Sequence, residues 1–242
     1  MADKKLNKTP GVLANGVSVK KDELAEMEGK ASEVLGFPGI GAKSDETAHL
    51  SVQAASGPEL EVAIPELSRL RVAVFREFPY LYAGDPDYET RYLRSYLDAP
   101  ESLVVLVQDG GRVVGASSAL PLRGEQPVLR APWEAAGLDV STVWYLAESV
   151  LLPRYRGRGL GVRFFEERER RGRELGYATA SFCAVERDAD HPRRPADYVP
   201  LDIFWGHRGY VRHPELVAQL PWQDLDESAE SPKDMVFWTK AL

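Results

Sequence analysis

The amino-acid sequence predicts an α/β fold in which helices cover a β-sheet, and three stretches carry this prediction. An apolar run, Trp144–Leu152, is ended by Pro153, which cannot donate a hydrogen bond within a sheet. A turn rich in glycine and arginine, Arg154–Gly161, then opens a long charged stretch typical of a helix. Asp109-Gly110-Gly111 is a hairpin turn signal between two strand-like segments.

Length and composition limit the class of protein. The 242 residues are 44% hydrophobic and 28% charged, which suits one globular domain with an appendage, or two small domains. No apolar run approaches the roughly 20 residues of a membrane helix, and no apolar block follows the N-terminal lysines as it would in a secretory signal. We therefore expect a cytoplasmic protein without a membrane partner.

Charge and cysteine usage narrow the partners further. The formal net charge of −7 argues against nucleic acid as a partner and favours cationic substrates. The single cysteine, Cys183, excludes an internal disulfide, and its apolar neighbours predict an inert core thiol.

The N-terminal segment differs from the rest of the chain. Residues 1–57 contain no arginine and every lysine except Lys233 and Lys240. We expect an N-terminal extension over 1–57, flexible apart from one short amphipathic helix at Lys21–Leu35, and a folded domain over 58–242. A flexible tail and a docking segment for a partner are the two interpretations of this extension.

The folded domain is predicted to begin with a strand and two helices. Leu60–Ile64 alternates as a strand does, and Pro65 suits the first position of a helix over Glu66–Glu77. An aromatic loop separates this helix from a second one over Asp87–Leu97. Further strands are predicted at Ser102–Gln108, Arg112–Leu120, Tyr177–Val185 and Met235–Thr239, and further helices at Gln126–Gly137 and from Leu201.

The glycine turn after the apolar strand is a predicted anion site, because free N–H groups and the helix dipole converge there. A dinucleotide fingerprint would need glycine at Val162, and a P-loop would need Gly-Lys-Ser/Thr. The spacing Arg154-x-x-Gly157-x-Gly159 instead resembles the pyrophosphate loop of the GNAT superfamily of N-acetyltransferases, and the preceding strand resembles that family's fourth strand. The alternative is an ordinary turn with a solvated arginine cluster.

The resemblance implies a fold and an activity. The GNAT fold has a central mixed, mostly antiparallel sheet that is splayed between strands 4 and 5 and flanked by helices, with coenzyme A in the gap. The implied reaction is direct transfer of an acetyl group from acetyl-CoA to a primary amine of a small molecule or peptide, without a metal. A homodimer is frequent in the family. The alternative is a GNAT-fold sensor or interaction protein that binds the coenzyme and catalyses little.

The resemblance also assigns coenzyme-binding residues. A backbone N–H near Leu151 would polarise the thioester carbonyl, and the turn would hold the pyrophosphate. The residues so assigned are Leu151, Arg154, Arg156, Gly157, Arg158, Gly159, Leu160 and Gly161.

Catalytic and acceptor residues are less specified. Glu148 is the predicted base, as the one carboxylate in an apolar strand; the alternative is a structural carboxylate satisfied by backbone or by an arginine. Trp205 stands where the family usually has a tyrosine that acts as the acid, so either the thiolate leaves unaided or another residue serves, with Tyr198 and His207 as the candidates. The predicted acceptor pocket contains Tyr80, Tyr82 and Trp133. The histidines show no ligand spacing, and no metal is expected.

Overall fold

The computed structural model describes residues 50–99 and 101–242. Within them the strands are β1 (Leu50–Ala55), β2 (Leu103–Asp109), β3 (Arg112–Pro121), β4 (Val143–Leu151), β5 (Thr179–Val185), β6 (Val211–Trp222) and β7 (Ser231–Ala241). The helices of this part are α1 (Gly57–Phe75), α2 (Pro86–Asp98), α3 (Pro127–Ala135), α4 (Leu160–Glu174) and α5 (Asp202–His207). The seven strands form a sheet in the order β1-β2-β3-β4-β5-β7-β6.

The sheet is mixed and splayed at its centre, which confirms the predicted fold. β4 and β5 are parallel, whereas the other neighbouring strands are antiparallel. β4 and β5 pair over three residues, from Val143↔Thr179 to Tyr145↔Ser181, and then separate. Just beyond, the register of β4 against β3 changes from Leu120↔Tyr145 to Ser118↔Glu148. The extra residue in β4 is a β-bulge, which bends a strand and re-aims its side chains.

Helices cover both faces of the sheet, because alternate residues of β4 point to opposite faces. Tyr145 packs in the core formed with α1, α2 and α3, together with Leu67 and Leu129. Trp144 packs in the core formed with α4 and α5, together with Phe164 and Phe204. In the part of the chain described, no helix combines the length and apolarity needed to cross a membrane.

The strand predicted at Leu60–Ile64 is wrong, since these residues belong to α1. Five residues that alternate also place Leu60, Ile64 and Leu67 on one helical face, and these three side chains are buried. The placement of Pro65 at the first helical position is also wrong, because Pro65 lies inside α1 and the proline of the first turn is Pro58.

The first strand lies on the N-terminal side of the predicted domain boundary. β1 pairs antiparallel with β2 from Leu50↔Asp109 to Ala55↔Val104. The helix predicted at Lys21–Leu35 lies outside the described residues. β6 was not predicted from the sequence, although it forms a long ladder with β7.

The remaining predicted elements agree with the structure to within a few residues at their ends. The hairpin between β2 and β3 turns at Gly110 and Gly111, whose φ angles are +55° and +83°. Two consecutive residues with positive φ define the turn that favours glycine in hairpins.

Candidate active site

The splayed edges of β4 and β5 lead to a cavity of about 220 Å³. Its walls come from the end of α1 and the aromatic loop after it, from the end of β5, and from the segment that leads into α5. Lining side chains include Glu77, Tyr80, Arg156, Val185, Tyr198 and Trp205. The cavity therefore lies beside the end of β5 that no longer pairs with β4, and residues of β6 and β7 complete its wall.

The glycine turn ends at the N-terminus of α4. Gly159 is its N-cap, with φ +76° and no side-chain cap, and Gly157 has φ +73°. The first intrahelical bond runs from Arg163 N–H to the Gly159 carbonyl at 3.1 Å. The N–H groups of the first helical residues, Leu160 to Val162, therefore have no helical acceptor. A Cβ at Gly159 would meet nothing within 4 Å. Open space and orphan donors fit an anion such as a pyrophosphate.

The three arginines of the turn have different surroundings. Arg156 lines the cavity; its Nε donates to the Leu151 carbonyl at 3.0 Å and its Nη1 to Glu77 Oε2 at 2.8 Å. The guanidinium groups of Arg154 and Arg158 lie over the Tyr155 ring, 4.7 and 5.7 Å from its centroid. Arg156 is thus the member of the set that faces the cavity.

The backbone of Leu151 faces the gap left by β5. The next residue, Leu152, donates its N–H to Val114 of β3 at 3.0 Å. Adjacent residues of a strand direct their polar groups to opposite edges, so the N–H of Leu151 points to the β5 side. The Arg156 contact with the Leu151 carbonyl agrees with this direction.

Glu148 lies in a buried charge cluster outside the cavity lining. Its side chain forms an ion pair with Arg71, which also pairs with Glu89; both carboxylates and the guanidinium are buried. The Arg71 guanidinium stacks on the Tyr92 ring, 4.6 Å from its centroid. The β4 bulge turns Glu148 toward α1, where Arg71 is located. This geometry favours the structural alternative, and the base role of Glu148 stays a prediction.

The segment around α5 places the candidate acid Tyr198, and Trp205, on the cavity wall. Tyr198 packs edge-on against Phe78, with ring centroids 4.7 Å apart, and burial raises its pKa to about 12. Trp205 is buried against Phe182 and Trp238. His207 is exposed and does not line the cavity. Of the two predicted acids, Tyr198 is the one on the wall.

Only one of the three residues predicted for the acceptor pocket lines this cavity. Tyr80 lines the cavity. Tyr82 forms a backbone bridge with Asp224, and Trp133 packs against Phe237 with ring centroids 5.6 Å apart. Tyr82 and Trp133 do not line this cavity.

Two arginines of the cavity, Arg187 and Arg194, were missed in the sequence, whereas Asp202 was expected near the pocket as an acidic residue. Arg187 bonds both carboxylate oxygens of Asp224 at 2.7 and 2.9 Å, and the Arg194 guanidinium lies 4.8 Å from the Tyr198 ring centroid. Asp202 also lines the cavity and forms no ion pair with any described residue. The polar composition of residues 186–197 was the available signal, but it does not indicate which side chains point inward.

The structure also describes the surroundings of Cys183 and of the side chains that could bind a metal ion. Cys183 is buried beside the Tyr145 hydroxyl at 3.1 Å, and burial raises the pKa of its thiol to about 12. This is the environment of a core thiol. Across the described ranges, no group of three His, Cys, Asp or Glu side chains is placed to hold a metal ion.

Comparison with known proteins identifies the family of this fold. The acetyltransferase (GNAT) family profile matches residues 67–195, more than half of the 242 residues. No curated protein matches this sequence.

Solved structures share the fold at low sequence identity. A ribosomal-protein-alanine N-acetyltransferase from Brucella melitensis is 15% identical, with 79% of this chain and 99% of that chain covered and a TM-score of 0.51. The yncA protein of Salmonella typhimurium, solved with acetyl-CoA, is 13% identical over 80% of this chain and 94% of that one, with a TM-score of 0.51. An aminoglycoside 6′-N-acetyltransferase complexed with coenzyme A is 17% identical over 79% and 96%, with a TM-score of 0.50.

Proposed function

Because the chain belongs to the acetyltransferase (GNAT) family, we propose that it transfers an acetyl group from acetyl-CoA to a primary amine of a small molecule or a peptide. The observation that carries this proposal is the open N-terminus of α4 beside the gap between β4 and β5. Bound there, acetyl-CoA would supply a thioester whose C–S bond breaks as the new C–N bond forms.

The chain's own groups suit the two ends of such a ligand. The orphan N–H groups at the start of α4 would bind the pyrophosphate. The Leu151 N–H, directed into the gap, would donate to the thioester carbonyl oxygen as that oxygen gains negative charge. Arg156 holds the Leu151 carbonyl and thereby fixes the orientation of this part of the backbone.

The cavity walls support a cationic acceptor. Asp202 contributes a carboxylate without an ion-pair partner among the described residues, and Tyr80 contributes aromatic surface. Carboxylate and ring faces together attract an ammonium group. The crystallised aminoglycoside 6′-N-acetyltransferase acts, by its name, on an amine, which agrees with this substrate class.

Two proton transfers are required, because an ammonium ion cannot attack and the thiolate takes up a proton on leaving. Tyr198 is the proposed acid: it lines the cavity, and its raised pKa keeps it protonated at neutral pH. Glu148 remains the proposed base from the sequence. Because Glu148 pairs with Arg71 and does not line the cavity, it would accept the proton of the amine through intervening groups and not by direct contact.

The proposal is tested first by calorimetric titration of acetyl-CoA into wild type, Gly159→Glu and Gly176→Glu. Both glycines have positive φ and open space around them, so both variants carry the same backbone strain and added charge. Gly176 follows the C-terminal end of α4. We expect binding to be lost in Gly159→Glu only, because only there does a carboxylate occupy the anion site. Equal affinity in all three proteins would overturn the assignment.

The sensor alternative is separated from the enzyme by turnover. An enzyme releases coenzyme A continuously when a primary amine is supplied, whereas a sensor binds acetyl-CoA without releasing the thiol. Thiol release is followed with a chromogenic disulfide across aliphatic amines, peptides and aminoglycosides, with Gly159→Glu as the blank. Coenzyme binding without thiol release from any amine would favour the sensor.

A further inference from the structure

A second and larger cavity, of about 550 Å³, has no residue of β4 or β5 in its lining. One wall is α2, and the other is the segment Leu120–Gln126 that connects β3 to α3. It shares no lining residue with the cavity described above. Its volume is within the range of small-molecule sites.

Glu125 provides a buried negative group in this cavity. Its side chain is 8% exposed, and the bond it receives is from the Gln126 backbone N–H at 3.3 Å. No arginine or lysine of the described residues forms an ion pair with Glu125. Arg91 lines the cavity, but its side chain is exposed and does not pair with Glu125 either. A carboxylate this buried ordinarily has a cationic or multiply donating partner.

A hydrogen-bond acceptor beside Glu125 is unsatisfied. Gln126 Oε1 is buried and has no hydrogen-bond partner in the described part. The hydroxyl groups of Tyr92 and Tyr96, in contrast, are bonded to each other at 3.0 Å. Among the described residues, Gln126 Oε1 lacks a donor and Glu125 lacks a cationic partner, so a ligand that suits both must be a cation that donates hydrogen bonds.

The α2 wall adds aromatic surface. Tyr88, Tyr92 and Tyr96 are spaced one helical turn apart and all line the cavity. The rings of Tyr92 and Tyr96 meet edge to face with centroids 5.7 Å apart. Aromatic faces next to a carboxylate stabilise an organic cation.

We propose that this cavity is a second ligand site, distinct from the acyl-transfer cavity, that binds an organic ammonium ion bearing N–H donors. Glu125 neutralises the charge, Gln126 accepts one N–H, and the tyrosines of α2 contact the apolar body of the ligand. The N–H requirement distinguishes such an ammonium from a quaternary one, which has no hydrogen to donate.

The test is calorimetric titration of benzylammonium, without coenzyme, at pH 8. Wild type is compared with Glu125→Gln, with Glu134→Gln as the matched control, because Glu134 is an exposed carboxylate nearby on α3. We expect Glu125→Gln to weaken binding at least about tenfold, which corresponds to about 1.4 kcal/mol, and Glu134→Gln to leave it unchanged. Benzyl alcohol, the neutral analogue, should bind far more weakly and alike to all three.

A second variant guards against a fold defect in Glu125→Gln. Tyr88→Leu keeps an apolar side chain at a half-buried position and removes one ring face, and we expect it to weaken benzylammonium several-fold. Absence of binding, or affinity unaffected by both variants, overturns the proposal. Binding weakened by Asp202→Asn and not by Glu125→Gln also overturns it, since the ligand would then occupy the acyl-transfer cavity. The titration contains no coenzyme, so its failure leaves the proposed acyl transfer untouched.

Discussion

Arg71 is a fully buried guanidinium that pairs with two buried carboxylates, Glu89 and Glu148. Replacing it leaves both carboxylates without a cation, and breaking a buried pair from one side costs about 3–5 kcal/mol. We expect Arg71→Met to lower the free energy of unfolding in urea by that amount. Arg69→Met, an exposed position on the same helix, should change it by less than about 0.5 kcal/mol.

Glu148→Gln separates the two roles considered for Glu148. Because Arg71 retains Glu89, we expect a smaller loss of stability, about 2 kcal/mol, as for hydrogen bonds to charged groups. Urea unfolding measures this loss, and the pH dependence of kcat measures any role as a base. A variant with wild-type stability and abolished turnover would contradict the structural role and support the base.

Glu125 predicts a pH dependence of stability. Burial raises its pKa to about 7 from an ordinary value near 4.5. The folded state therefore holds this proton more tightly than the unfolded state, so its stabilising contribution is present below pH 4.5 and declines until the pH passes 7. Between pH 5.5 and 8 the decline is about 2 kcal/mol. We expect the free energy of unfolding of Glu125→Gln, measured in urea at both pH values, not to show this decline. The same decline in wild type and in the variant would refute the burial effect.

For Glu148 and for the arginines of the glycine turn, the sequence indicated that the side chains are charged and functionally placed, but it did not indicate which residues they contact. A lone glutamate in an apolar strand predicted a catalytic base, with a structural carboxylate as the alternative, and in the structure Glu148 is paired with Arg71. Its partner Arg71 is remote in sequence, in a helix whose start was mispredicted. Likewise, the arginines of the glycine turn were visible, but only the fold determines that Arg156 faces the cavity.

Among the elements, the segment before α5 carries the proposed acid. Tyr198→Phe keeps the ring that packs on Phe78 and removes the hydroxyl, so coenzyme affinity should be unchanged. We expect kcat to fall about a hundredfold, the lower range for a general acid. Tyr155→Phe, whose hydroxyl bonds Asp109, is the control and should retain kcat. Because the pKa of Tyr198 is about 12, its titration should not limit kcat below pH 10; unchanged kcat in Tyr198→Phe would reject the assignment.

Element prediction succeeded where local signals were strong. Pro153 after an apolar run, two glycines in the β2–β3 hairpin and a charged periodic helix all correspond to observed elements. Element prediction failed at Leu60–Ile64, because five alternating residues fit the period of a strand and also that of a helix. It also failed at β6, whose residues include two prolines and charged groups. β6 is an edge strand beside β7, and its half-exposed composition gives little apolar alternation to detect.

For the whole molecule, the central fact is that the sheet consists of two parts. β1–β4 and β5–β7 are joined by three residue pairs between β4 and β5, and helices pack across the junction on both faces. The splay between β4 and β5 was predicted from the resemblance of the Arg154–Gly161 turn to the GNAT pyrophosphate loop. No local sequence signal indicates the bulge of β4 opposite Ala119, between the pairs Leu120↔Tyr145 and Ser118↔Glu148.

This division predicts how coenzyme binding affects stability. A ligand between β4 and β5 that also binds the start of α4 connects the two parts of the sheet, and it binds the folded state only. At a hundred times its Kd, such a ligand adds about 2.7 kcal/mol, which for a chain of this size raises Tm by about 5–10 °C. We expect this rise in wild type and Gly176→Glu, measured by scanning calorimetry, and none in Gly159→Glu. Slower amide exchange should accompany it at Leu151, whose N–H points into the gap. A rise in Tm without protection of Leu151 would mean that the coenzyme binds the turn but does not enter between the strands.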